Sequence, residues 1–209
     1  MDQKTVATPI AKKTLIGARV KKPDAADKAS GKTRYINDMV LPQMLIGKVL
    51  FAGRAHARIV RIVTEAARRL PGVHAVLTGK DAAGMKFGFV RDNVALKDKV
   101  RCEHDEIAAV AAETEEIAAR ALELIEVEYE DLPGVFTPEA GAREGAPLVH
   151  DDFPGNRSLH FEFKDGDLAA AEAASDLIVD NVFRPHHVTH CCMGTSCAIA
   201  DFDHNGKLT

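Results

Sequence analysis

The sequence predicts an α+β chain, and three features point to it. Between residues 31 and 135, apolar runs of strand length alternate with short helical stripes. A stretch rich in proline and glycine, 136–166, then interrupts the pattern. From Asp167 a helix-then-strand pattern begins again and breaks off just after the turn signal His204-Asn205-Gly206. The expected organisation is a polar N-terminal arm over 1–30, an α+β domain over 31–135, a linker over 136–166, and the incomplete beginning of a second α+β domain over 167–209.

Each element has its own signal. Residues 1–33 are lysine-dotted, carry Pro9 and Pro23 and show no period, as expected of an arm that lies on another surface. Residues 44–52, MLIGKVLFA, read as a buried strand. Thr64 opens TEAARRL, with its acid early and its arginines late, the order a helix dipole prefers. The turn and strand PGVHAVLTG follow. Residues 79–105 read as a long loop with one short strand around Val100.

EIAAVAAE suits a strand or, by its alanines, a helix. Thr114 separates the two readings. It is a good N-cap with Glu115 and Glu116 in the first turn, so the helix starts there and the preceding run is a strand. IEVEYED alternates apolar and acidic residues as a half-buried strand does. Beyond the linker, Asp167 caps LAAAEAA, and strands are expected at DLIVDNVFR and CAIADFD. With only KLT after Gly206, the last hairpin is expected to lack most of its return strand, and the chain is expected to be the front section of something larger.

Composition narrows the functional classes. A formal net charge of −4 and 5% aromatic residues supply neither the basic field nor the stacking platform of a nucleic-acid binder. No run approaches the roughly 20 apolar residues of a membrane span, and the first residues lack a signal-peptide core, so a cytoplasmic location is expected. The four cysteines, Cys102, Cys191, Cys192 and Cys197, make a poor disulfide framework, and reduced thiols are expected.

Residues 186–197, HHVTHCCMGTSC, concentrate the soft side chains. His187-x2-His190 and Cys192-x4-Cys197 fit zinc spacing only loosely. Adjacent Cys191 and Cys192 would point to opposite faces of a strand. A set of inert, buried strand residues is therefore favoured over a metal site or a redox-active thiol, and no metal ligand is assigned. His56 is read as a structural hydrogen-bonding residue rather than a base. Glu126, Glu128 and Glu130 are read as an outward-facing strand edge rather than paired acid–base carboxylates. Gly84-x3-Gly88 lacks the strand-to-helix context of a phosphate loop.

Several blocks together resemble the molybdenum-binding large subunit of the xanthine dehydrogenase and aldehyde oxidase family. They are Gly31 with Arg34-Tyr35 and Asp38, Leu41-Pro42, Ala55-His56-Ala57-Arg58-Ile59, Leu70-Pro71-Gly72-Val73, and Thr78-Gly79-Lys80-Asp81. Further on, Lys99-Val100-Arg101, Ala108-Ala109-Val110 and Val127-Glu128-Tyr129-Glu130 look like the second half of the family's a/b hammerhead domain. GDLAAAEAASDLIVDNVFR is similar to the entry into its first molybdenum-cofactor domain. The sequence departs from the family at Phe51-Ala52-Gly53-Arg54 and at Cys102-Glu103-His104-Asp105-Glu106. At His190, Met193 and Gly194 it meets a family motif of unassigned role, with Gly194 where the family usually has glutamate.

The resemblance implies an oxidoreductase that uses molybdopterin-bound molybdenum, with [2Fe-2S] clusters and FAD on partner domains or subunits. The implied partners are the remaining molybdenum-binding polypeptide, an iron–sulfur subunit, an FAD subunit and a small-molecule substrate. That substrate is an aromatic heterocycle, an aldehyde or an aromatic thioester. The family's catalytic and cofactor-binding segments are expected beyond residue 209, so no catalytic residue is assigned here and the chain alone is expected to be inactive. A reductive dehydroxylase of the 4-hydroxybenzoyl-CoA reductase type, a non-catalytic hammerhead binding module and a small His/Cys metal-binding protein remain as alternatives.

Overall fold

The computed structural model describes residues 18–82, 85–89, 92–186, 188–192 and 194–209. In chain order the elements are α1 (Ala25–Ala29), β1 (Ile46–Phe51), β2 (Ala57–Val63), α2 (Glu65–Arg69), β3 (Val73–Thr78), β4 (Lys86–Phe87), β5 (Asn93–Val94), β6 (Lys99–Val100), β7 (Glu106–Ala112), α3 (Glu115–Glu123), β8 (Glu126–Asp131), α4 (Pro138–Gly141) and α5 (Leu168–Ala173). The class is the expected mixture of small sheets and short helices. Residues 42–184 form one unit; the described residues up to Leu41, with those from Pro185 to Thr209, form another.

In the larger unit the antiparallel sheets run β1-β7-β3, β6-β2-β8 and β4-β5. β7 is central in the first, with Val49 opposite Ala109 on one side and Leu77 opposite Ala109 on the other. Alternation then decides what each face meets. Val76, Ala108, Val110 and Ala112 form a core with Ala67 of α2 and Ala118 and Ala121 of α3. A second core joins Ala52, Ala57, Val100 and Ile107.

The Thr114 reading holds: its side chain accepts a hydrogen bond from the Ile117 amide, and α3 begins at Glu115. Gly72, at φ +85, makes the turn into β3, where an added Cβ would lie 2.7 Å from Ile117 Cδ1. Glycine answers both demands.

Several expectations are corrected. ARIVRIV is strand β2, which the sequence reading passed over between its first strand and the helix at Thr64. Isoleucines and valines carry that strand, but Arg58 and Arg61 obscure its alternation. The loop 79–105 contains the β4–β5 hairpin as well as the expected strand at Val100. Residues 136–166 hold α4 and a 3-10 turn at Pro154–Asn156, fastened by side-chain hydrogen bonds. The N-terminal stretch is not uniformly extended, since α1 interrupts it.

Asp167 does cap a helix, its carboxylate accepting from the Ala170 amide. The strands expected at DLIVDNVFR and CAIADFD do not form. A strand exists only by pairing: among the described residues no backbone pairs with DLIVDNVFR, and CAIADFD meets only the few residues after Gly206. The sole ladder contact there joins Phe202 to Leu208. KLT does fold back across Gly206, with Asp201 and Thr209 exchanging backbone hydrogen bonds of 3.0 and 2.8 Å. The return strand, of which only the start is expected, is begun by these residues.

Candidate functional site

Seven ionisable side chains line a cleft of about 290 Å³ between the loop preceding β7 and residues 150–153. Lys86, Asp92, Asp98, Arg101, His150, Asp151 and Asp152 contribute to its wall. The loop side is built rigidly. Asp105, only 8% exposed, accepts the Arg101 and Cys102 amides at 2.6 and 3.1 Å and so closes the turn before β7. Lys97, equally buried, reaches the Val94 carbonyl at 2.6 Å and Glu106 at 3.0 Å. An added Cβ at Gly79 would lie 3.1 Å from the Lys97 carbonyl, so the loop passes this turn closely.

The opposite side is held by Asn156, which accepts from the Val149 amide and donates to the Gly141 and Pro147 carbonyls. The two sides are joined by charge. Lys86 meets Asp152 and Lys99 meets Asp151, each at 2.9 Å, and Arg101 Nε donates to the Val149 carbonyl. The hydrogen bonds from Lys99 and Lys86 hold the Asp151 and Asp152 carboxyls below the usual carboxylate range. Burial, helped by Arg101, pushes His150 below the ordinary imidazole value. Most of the cations are thus spent on carboxylates and carbonyls of the same wall, and the arrangement works as a clasp.

The residues singled out in the sequence fall elsewhere. His56 is 7% exposed and its Nδ1 lies 2.7 Å from the Pro133 carbonyl, which can only accept, so Nδ1 carries the proton. Its backbone carbonyl accepts from Leu132, and its Nε2 is buried without a partner among the described residues. The structural reading of this histidine fits. Glu126, Glu128 and Glu130 lie on the edge strand β8, opposite Val63, Arg61 and Arg58, and Glu130 pairs with Arg58 at 2.8 Å.

Around HHVTHCCMGTSC the outcome differs from the expectation. Cys191, Cys192 and Cys197 are exposed free thiols in irregular chain, not buried strand residues. His190 and Gly194 are exposed there too, and a Cβ at Gly194 would meet nothing within 4 Å. His187, Met193 and Gly84 lie outside the described residues. Among the described residues no three His, Cys, Asp or Glu side chains gather as a metal would need. The fourth cysteine, Cys102, has its thiol pushed up by burial and by Asp105, which disfavours the nucleophilic thiolate.

The Asn156 and Asp105 anchors and the Lys86 and Lys99 pairs went unnoticed in the sequence. Their partners stand 3 to 66 positions away, with no periodicity to mark them. No helix among the described residues is long and apolar enough to cross a membrane.

Comparison with known proteins supplies what this geometry does not. Residues 30–133 match the a/b hammerhead domain of aldehyde oxidase and xanthine dehydrogenase. The chain is 40% identical over 191 residues to a probable xanthine dehydrogenase subunit of Bacillus subtilis, covering 90% of this chain and 25% of that protein. It is 34% identical over 198 residues to the nicotinate dehydrogenase large molybdopterin subunit of Eubacterium barkeri, covering 93% of this chain and 46% of that one. Among solved structures, aldehyde oxidoreductase from Desulfovibrio gigas aligns with a TM-score of 0.62 at 29% identity, over 74% of this chain and 19% of that one. Quinoline 2-oxidoreductase from Pseudomonas putida gives 0.59 at 34%, over 66% and 19%. The chain therefore spans about a quarter to a half of the curated relatives named here. The hammerhead match, the relatives and the shared fold agree with the blocks read from the sequence: the chain belongs to the xanthine dehydrogenase and aldehyde oxidase family of molybdenum oxidoreductases.

Proposed function

We propose that this chain is the N-terminal section, or a separately encoded subunit, of a molybdenum hydroxylase acting on an aromatic heterocycle, an aldehyde or an aromatic thioester. The observation that carries the reading is the extent of the likeness: it runs through 90% of the chain, beyond the hammerhead and into the residues that follow. In the assembly the chain packs against the remaining molybdenum-binding polypeptide, with an iron–sulfur subunit and an FAD subunit completing electron transfer in the cytoplasm. Molybdopterin-bound molybdenum supplies oxidation of the substrate carbon when bound. The described residues offer no gathered donor set for it, so no step of the reaction is drawn through them.

The surface supports a role inside an assembly. From Leu159 to Phe183 the chain exposes Phe161, Phe163, Leu177, Ile178, Val179 and Val182, with Phe163 at 92%. Isolated proteins rarely leave so much apolar surface to water. The test is to tag this chain in its native host, purify under mild conditions and analyse the metals, flavin and polypeptides that accompany it. Molybdenum, iron and flavin with at least one further polypeptide are expected; an isolated, metal-free monomer would overturn the proposal.

A further inference from the structure

We infer that the face of the β1-β7-β3 sheet turned away from α2 and α3, which the described residues leave partly open, is a docking surface for the remaining molybdenum-binding polypeptide, an inference that rests on the function proposed above. Pairing defines this face: Gly47, Ala111 and Ala75 form one rung across the sheet, and Val49, Ala109 and Leu77 form the next. Residues paired directly across strands share a side, and the alternate positions Val76, Ala108, Val110 and Ala112 are buried in the core shared with α2 and α3. The two rungs look the other way. Val49 is 39% and Leu77 47% exposed, and a Cβ added at Gly47 would meet nothing within 4 Å.

The chemistry of the rungs shows that water is not their intended neighbour. An antiparallel sheet with one solvated face alternates apolar and polar residues, whereas strands covered on both faces read as continuous apolar runs. β8, EVEYED, follows the first pattern, and most of β7, IAAVAA, follows the second. No charged residue stands on either rung. Glycine and alanine at four of the six places let a covering backbone come close, as elements do inside one domain.

A face without charge suits a permanent partner more than an exchangeable one, because obligate interfaces resemble a core cut in half. The relatives are two to four times longer than the part this chain spans. The permanent neighbour this favours is the rest of the large subunit, and not an iron–sulfur subunit, an FAD subunit or a second copy of this chain.

The experiment places the photo-cross-linking residue p-benzoylphenylalanine at Leu77 in the tagged chain in its native host. The same residue at the exposed Val60 of β2 is the control. After irradiation of the purified complex, mass spectrometry of the Leu77 adduct is expected to identify a peptide of the molybdenum-binding polypeptide, with at least tenfold less of that adduct from Val60. A Leu77 adduct to an iron–sulfur or FAD subunit, an adduct to a second copy, or no Leu77 adduct in an intact complex would each overturn the inference. Failure of the chain to co-purify with any molybdenum-binding polypeptide is a different result, and it overturns the proposed function itself. A second variant, Leu77→Asp, is expected to keep the circular dichroism of the isolated chain and to lower its recovery with molybdenum at least tenfold; unchanged recovery would count against the docking surface.

Discussion

Ile107 is the largest side chain in the second core that water hardly touches, at 1% exposure, packed with Ala52, Ala57 and Val100. Among the buried members of this core Ile107 contributes the largest single share of apolar volume, with the partly buried Leu50, Ile59, Val127 and Tyr129 packed around it. Replacing it with alanine removes three carbons, worth about 2.4 kcal/mol at roughly 0.8 kcal/mol for each buried methylene. The cavity left behind adds to this, within an overall range of about 2–5 kcal/mol for such truncations. A cleft of about 180 Å³ borders Ile107 beside Ile59 and Ile62 and gives the walls room to settle, so the lower half of that range is expected, near 3 kcal/mol. Urea denaturation of the 209-residue chain, followed by far-ultraviolet circular dichroism, measures it. With a slope of about 2 kcal/mol/M the midpoint falls by about 1.5 M, while Ile107→Val, which deletes one methylene, moves it by about 0.5 M. A loss below about 1 kcal/mol for the alanine variant, with an unchanged slope, would show that Ile107 does not organise this core.

Three further outcomes are expected. Asn156→Ala removes three hydrogen bonds and puts alanine at φ 56, for a cost of about 3–5 kcal/mol concentrated in residues 141–157; hydrogen exchange at the Val149 amide should accelerate at least a hundredfold while β7 stays protected. Thr114→Ala deletes the cap of α3 and costs about 1 kcal/mol, read as a lower urea midpoint, whereas Thr114→Ser restores most of it. The clasp over residues 149–153 loosens in acid in two stages. His150 has a lowered value in the folded state, so the unfolded chain takes its proton more readily and stability declines once pH drops below about 6.5. Asp151 and Asp152 are also lowered, so their contribution is present above about 3.9 and is lost as pH falls through their depressed folded values. Protection of the Val149 amide, corrected for intrinsic exchange, should fall between pH 7 and pH 5 and should lose that dependence in His150→Gln; equal protection at both pH values in the parent chain would refute the first stage.

How legible the fold was depended on whether its cause was local. Thr114 was read correctly because a cap, two early acids and an apolar stripe all lie within one short segment. Asp167 and IEVEYED were read for the same reason. β2 was missed because its pairing with β8 is more than sixty residues away and its arginines mask the period. The clasp was invisible for a related cause: Lys86 gains its meaning only when the chain brings Asp152 to it. At DLIVDNVFR the composition of a strand is present, but among the described residues no neighbour pairs with it, so propensity alone does not make a strand there. HHVTHCCMGTSC misled in the same way, since soft residues were assigned to a core that the described chain does not build around them.

The meeting of α3 with β7 is made largely by alanines: Ala118 and Ala121 against Ala108 and Ala112, all fully buried. Methyl groups make a smooth boundary. They fix how far the helix stands from the sheet, yet they supply few ridges or hollows to stop it sliding along the strands. Much of the longitudinal placement comes from the helix's N-terminal end, where Lys48 grips Glu115 at 2.9 Å, Thr114 holds the first turn and Ile117 abuts Gly72, with Leu122, Leu124 and Ile125 packing at the other end. Mutations in the middle of this contact should therefore change spacing, and mutations at the N-terminal pins should change alignment.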